Sequence, residues 1–172
     1  MKKKYYLYLL AVILITNCTT TSTTDGSAAR AATEDSVTSG ENQDFSNANG
    51  IEWKLLSVHI DGVDTQFSRD NQPQQVSRDI YTLKFEDGII GGIGAPNRYS
   101  GRYTQGDNQS LSVTPLVSTM MASLFEPENL REHNFLSYMQ NIKTWKLTNN
   151  SSNLELTSVT NDGKPVKMIF GQ

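Results

Sequence analysis

The chain has 172 residues, a formal charge of −3 and one cysteine. A single thiol rules out an intrachain disulfide framework, and a chain of this size can do without one, because it buries more than about 60% of its unfolded surface. The mild acidity comes with no basic stripe, which removes the electrostatic footprint of nucleic-acid binding.

Lys2, Lys3 and Lys4 open the chain, and an apolar run follows over residues 5–15. A basic segment before a short apolar one is the pattern of a secretory signal. The run is too short to span a bilayer, which needs about 20 residues. It leads directly into Thr16-Asn17-Cys18. The site resembles the lipobox of bacterial lipoproteins: Ile15 and Thr16 suit its two upstream positions, while Asn17 stands where Gly, Ala or Ser is usual. The reading makes residues 1–17 a lipoprotein signal peptide and Cys18 the point of lipid attachment, palmitate included. Acylation would also remove the liability of a free thiol in an exported protein. An ordinary signal peptide with an incidental cysteine, or an uncleaved anchor, is the alternative. Several acyl chains anchor durably, since each buried methylene contributes about 0.8 kcal/mol. Thr19, where an aspartate would resemble an inner-membrane retention signal, favours the outer membrane.

Residues 18–49 form the lipidated N-terminus and a linker rich in Thr, Ser, Ala, Asp, Glu and Asn. Val37 and Phe45 are its only bulky apolar residues. Too little apolar surface is present to offset ordering, so the expectation is a disordered tether with a mean reach of roughly 30 Å. The folded domain is then expected over residues 50–172, with eleven Lys plus Arg against thirteen Asp plus Glu, a net −2.

Residues 51–60 alternate imperfectly around Trp53, Leu55 and Val58 and read as a half-buried strand. Residues 61–77 are polar, contain Gly62 and Pro73, and read as loop. Residues 80–85 alternate strictly; Asp87-Gly88 before the next apolar run is a hairpin signal, and residues 89–93 resume as a strand. Residues 98–104 alternate again, with Tyr99, Gly101 and Tyr103 on one face and Arg98, Ser100 and Arg102 on the other. Gly106-Asp107-Asn108 is a turn, and Leu111 and Val113 start a strand that Pro115 interrupts. Pro127 suits a first helical turn, with Glu126 and Glu128 favouring the positive end of its dipole. Phe135, Tyr138, Met139 and Ile142 then carry the spacing of a buried helical face. Residues 145–148, 153–159 and 166–170 read as three closing strands. The sum is α+β: a curved antiparallel sheet or cracked barrel with one main helix.

The run Asn97-Arg98-Tyr99-Ser100-Gly101-Arg102-Tyr103 resembles the core motif of the META domain family, the HslJ-like proteins. The flanks agree: Gly50, Trp53 and Leu55 resemble its opening strand, and Leu83 and Phe85 the strand before its glycine-rich turn. Thr119, Met121 and Ala122 are similar to its Thr-x-Met-Ala segment, Glu132, Phe135, Leu136 and Met139 to its helix, and Gly163 and Phe170 to its last strand. Cysteines found in many members are replaced by Ala95-Pro96 and Ser123, which removes any thiol chemistry of relatives. The resemblance implies a small envelope or secreted domain with a cracked barrel and a packed helix. It implies no established enzymatic activity; some members have been compared with lipid-binding pilot proteins.

Candidate chemistry is sparse. Gly91-Gly92-Ile93-Gly94 lacks the Lys-Ser/Thr and helix of a phosphate loop, and its glycines suit a bulge or tight bend. His59 and His133 have no partner at metal-ligand spacing, and Asp61, Asp64 and Asp70 miss the EF-hand register. No nucleophile-elbow pattern surrounds any serine. Glu126 with Glu128 or Glu132 is explained by helix N-terminal charge. Arg98 and Arg102 pair with nearby acids such as Asp107, or else contact an anion or partner. Met120, Met121, Leu124 and Phe125 are core filler or an adaptable binding surface. No catalytic residue, metal or cofactor is therefore assigned. The expected function is a non-enzymatic, lipid-anchored envelope domain. It binds a protein partner or hydrophobic ligand in envelope maintenance or stress tolerance; a surface lipoprotein contacting host molecules is the alternative.

Overall fold

Alternating apolar residues and Asp-Gly or Asn-rich turns produce a meander of short strands. The computed structural model describes residues 43–68, 80–122 and 129–172. In chain order the elements are β1 (Glu52–Ile60), β2 (Val63–Gln66), β3 (Thr82–Glu86), β4 (Ile89–Ile93), β5 (Arg98–Gln105), β6 (Leu111–Val113) and β7 (Val117–Ser118). Then come α1 (Glu132–Gln140), β8 (Thr144–Thr148), β9 (Asn153–Val159) and β10 (Pro165–Gly171). The sheet is antiparallel in the order β6-β5-β4-β3-β1-β10-β9-β8, with β2 added to β1 and β7 added to β5. Its two ends meet at a single bridge, Ser110 with Thr144. The Leu111 N–H donates to the Lys143 carbonyl at 2.8 Å and the Trp145 N–H to the Gln109 carbonyl at 3.0 Å. The result is a nearly closed barrel with one unsealed seam, and the α+β expectation is met.

The interior is filled by inward residues of facing strands. Trp53, Leu83, Phe85, Leu156 and Phe170 are all fully buried. β1 shares its length between two neighbours, pairing with β3 over Glu52 to Lys54 and with β2 over Ser57 to Ile60. The register against β10 shifts between Leu55 and Ser57. Leu56 is the extra residue of that bulge and is 40% exposed; a bulge bends its strand and increases the local twist. α1 buries Phe135, Tyr138 and Met139, as its periodicity predicts. Ile142 lies just past the helix and is also buried. The helix does not start at Pro127, which itself lies outside the described residues: Arg131 is extended, at φ −77° and ψ 145°, and α1 begins only after it, at Glu132.

Three differences from the sequence reading have physical causes. The expected loop after residue 60 begins with a strand: Asp61 and Gly62 adopt φ of 51° and 82°, the two-residue turn with positive φ at both positions that joins hairpin strands. That turn returns β2 along β1. β7 is short and pairs only with Tyr99 and Ser100. The third concerns the domain boundary, which does not stop at Gly50. Phe45 lies in a short 3-10 helix, Phe45–Asn47, and its ring sits 4.9 Å from Phe85 and 4.8 Å from Trp145. Gln43 bridges to β8, its side-chain N–H donating to the Leu147 carbonyl and its Oε1 accepting the Leu147 N–H. Residues 43–49 therefore belong to the folded domain. Composition averaged over the polar segment hid the one aromatic residue that seals this end of the barrel.

Candidate functional site

The motif strand β5 sorts its side chains as alternation predicts. Tyr99 is buried, its hydroxyl donating to the Thr82 carbonyl at 2.8 Å and its ring meeting Phe135 edge-on at 5.8 Å. Burial pushes the Tyr99 phenol well above its ordinary pKa. Tyr103 points to the same side but is half-buried, 5.4 Å from Phe45 and 5.0 Å from Phe85; partial burial raises its pKa too. Gly101 lies against a crossing chain: a Cβ there would come within 2.8 Å of Leu116 Cδ2, a side-chain tip that can move aside, and 3.3 Å of the Thr114 carbonyl.

Asn97, just before β5, is the hub of a local network. The Ala95 and Asn97 amides both donate to Glu132 Oε1, at 2.5 and 2.7 Å. Asn97 Nδ2 donates to Glu132 Oε2 at 2.7 Å. Asn97 Oδ1 accepts the Thr119 hydroxyl at 2.9 Å and the Met121 N–H at 2.6 Å. One carboxamide and one carboxylate thus tie β5, the chain after β7 and the start of α1 together. Both groups are occupied by these bonds, which suits a latch and not an acid or base. Glu132, weighed above as half of a carboxylate pair, is a structural acceptor; Glu126 and Glu128 lie outside the described residues.

The outer face of the same region is different. Register aligns Val117, Ser100, Gly91, Lys84 and Glu52 in one row across five strands. Ile93 with Arg98 lies on one side of that row, and Ile89 with Arg102 on the other. Because Gly91 and Ser100 carry almost no side chain, the row sinks into an open groove of 740 Å³. Gly92 beside it cannot carry a Cβ, which would run into the Thr82 carbonyl. The glycine run is thus a close approach of strands β3 and β4. Val117 is 68% exposed, and Met120 and Met121 continue this apolar edge at 100% and 61%. Arg98 and Arg102 are exposed, and no ion pair joins either to Asp107 or to another described residue.

The remaining candidates stay apart. Cys18 and Asp70 lie outside the described residues. Asp61 pairs with Lys164 at 3.0 Å, and Asp64 accepts from Gln66. Among the described residues, no group of three or more His, Cys, Asp or Glu is placed to hold a metal ion. Sequence reading put Arg98 and Arg102 on one outer face but missed Val117 and Ile89 beside them. Only the strand pairing of β7 reveals the first, since no periodicity runs through residues 114–119.

The described residues thus form a small antiparallel barrel with an open seam, with the motif residues tying its strand β5 to the start of α1. The META domain profile matches residues 46–169, and the chain belongs to the META domain family. It is not a known enzyme family. A protein from Burkholderia xenovorans, solved by NMR, is similar at a TM-score of 0.54 and 20% identity, over 74% of this chain and 86% of that one. At that identity the likeness shows the fold. No curated protein matches the chain.

Proposed function

We propose that this is a non-enzymatic, lipid-anchored envelope protein whose META domain binds a protein partner in envelope maintenance or stress tolerance. The observation that carries the reading is where the free apolar surface lies. The barrel interior is filled by fully buried side chains, which leaves little room there for a hydrophobic ligand. The exposed Val117 instead edges an open outer groove, and the chain that follows it carries the exposed Met120 and Met121. Contiguous exposed apolar surface on a small domain suits a protein contact, and methionines suit an adaptable one. The signal-like N-terminus ending at Cys18 supports the anchor and the envelope location, outer membrane by the residue at Thr19.

Two measurements test this. Cys18→Ser should abolish acylation and move the protein out of the detergent phase; unchanged partitioning and mass would sink the anchor. A photo-crosslinking residue at Val117, in the anchored protein in its native membrane, should capture an envelope protein that the same residue at exposed Lys146 does not. Adducts with lipid alone, or equal capture from both positions, would count against a partner at this face.

A further inference from the structure

The groove also carries information about the chemistry of what it holds. Its floor is Gly91 and Ser100, and Ile93 and Ile89 rise on either side. Arg98, Ser100 and Arg102 are at positions i, i+2 and i+4 of β5 and share its outer face. At about 3.4 Å rise per residue, the two arginines stand about 14 Å apart along the strand. Neither guanidinium has an ion pair or hydrogen bond among the described residues. The opposite side carries Glu52, Glu86 and Asp87. Its lysine, Lys84, is already held by Glu86 at 2.8 Å. The groove thus has Arg98 in its β5 wall and Arg102 just beyond its Ile89 end on the same outer face, and is acidic along β1 and β3.

Resting on the partner-binding reading above, we infer that the groove takes an extended segment of a protein partner with an aromatic residue flanked, two positions away on each side, by carboxylates. In an extended chain those three side chains share one face with the same spacing as Arg98, Ser100 and Arg102. The aromatic ring lies on the flat Gly91–Ser100 floor between the two isoleucines. The carboxylates meet Arg98 and Arg102, whose planar guanidinium suits bidentate pairing. The acids on the far side repel a segment that is acidic throughout, which restricts the negative charge to one edge.

The test uses the full-length protein in neutral detergent and a fluorescent seven-residue peptide. The peptide has glutamate at its second and sixth positions, phenylalanine at the fourth and threonine elsewhere. Fluorescence anisotropy should give a dissociation constant below about 1 mM at low salt, weakening as salt screens the charges. Arg98→Ala and Arg102→Ala should each weaken binding by about threefold to fivefold, the scale of an exposed ion pair. Ser100→Phe, which fills the floor from the solvent side, should abolish it. Arg131→Ala, an exposed arginine elsewhere, should change nothing. No binding, unchanged binding in both groove arginine variants, or equal binding of a peptide with lysines in place of the glutamates would overturn the inference. If the peptide fails while Val117 still captures an envelope protein specifically, the partner reading stands and only this chemistry falls. If Val117 captures none, the broader reading fails as well.

Discussion

The Tyr99 hydroxyl donates into the barrel wall at Thr82, and burial holds its pKa far above the ordinary value of 10.0. A raised folded value means the neutral phenol's contribution is complete below about pH 10, where unfolded phenols titrate, and is lost as pH climbs past it. Tyr99→Phe should cost about 1–3 kcal/mol at neutral pH, because it strands the Thr82 carbonyl. The variant should then lose less stability than the parent on going above pH 10. Urea midpoints across that range check this, and parallel pH curves would show that the phenol does not titrate with unfolding. Glu132 is the acceptor for two backbone amides and the Asn97 side chain. Glu132→Ala should destabilise by at least about 2 kcal/mol, since each stranded buried donor costs about 1–3 kcal/mol. A melt within a few tenths of the parent would mean water replaces the carboxylate without penalty. Tyr103 is half-buried where Tyr99 is buried, so Tyr103→Ala should cost less than Tyr99→Ala, although alternation alone makes the two equivalent.

At the scale of elements, short apolar runs between turn signals were legible: β3, β4, β5, β8, β9 and β10 all lie where residue patterns put them, to within one or two residues. Their periodicity is local and needs no knowledge of neighbours. β2 was missed although Asp61-Gly62 carries the same two-residue turn signal as Asp87-Gly88. Val63–Gln66 is mostly exposed, so no buried face marked it. Phe45 is visible in the sequence but reads as linker for the opposite reason: one aromatic residue has no period to place it in a core. Its ring contacts Phe85, Tyr103 and Trp145. Phe45→Ala should therefore cost about 3–5 kcal/mol, the range for deleting a buried large aromatic. A chain beginning at residue 50 should melt well below one beginning at residue 43. Equal melting temperatures would return residues 43–49 to the linker.

For the whole molecule, the seam governs where the barrel opens. β1 and β10 pair over six positions, whereas the chain just before β6 meets β8 at one bridge, Ser110 with Thr144. Local openings follow the weakest pairing. The Leu111 and Trp145 amides, which cross the seam, should exchange with solvent faster than those of His59 and Lys167, which face each other in the β1–β10 ladder. Hydrogen exchange read residue by residue tests this, and uniform protection would mean the seam opens only with global unfolding.

The sequence by itself determined the class of fold, the strands of regular period, the buried side of the helix and the two faces of β5. Each of these follows from side-chain spacing along one segment. It also carried the motif and flanking residues that mark the META domain. Tertiary structure alone decided that residues 43–49 close the barrel and that Asn97, Thr119, Met121 and Glu132 form one network. It alone placed Val117 beside Ser100 and Gly91 to make a groove. Those features join residues far apart in the chain, and their energies come from contacts that exist only after the strands have paired.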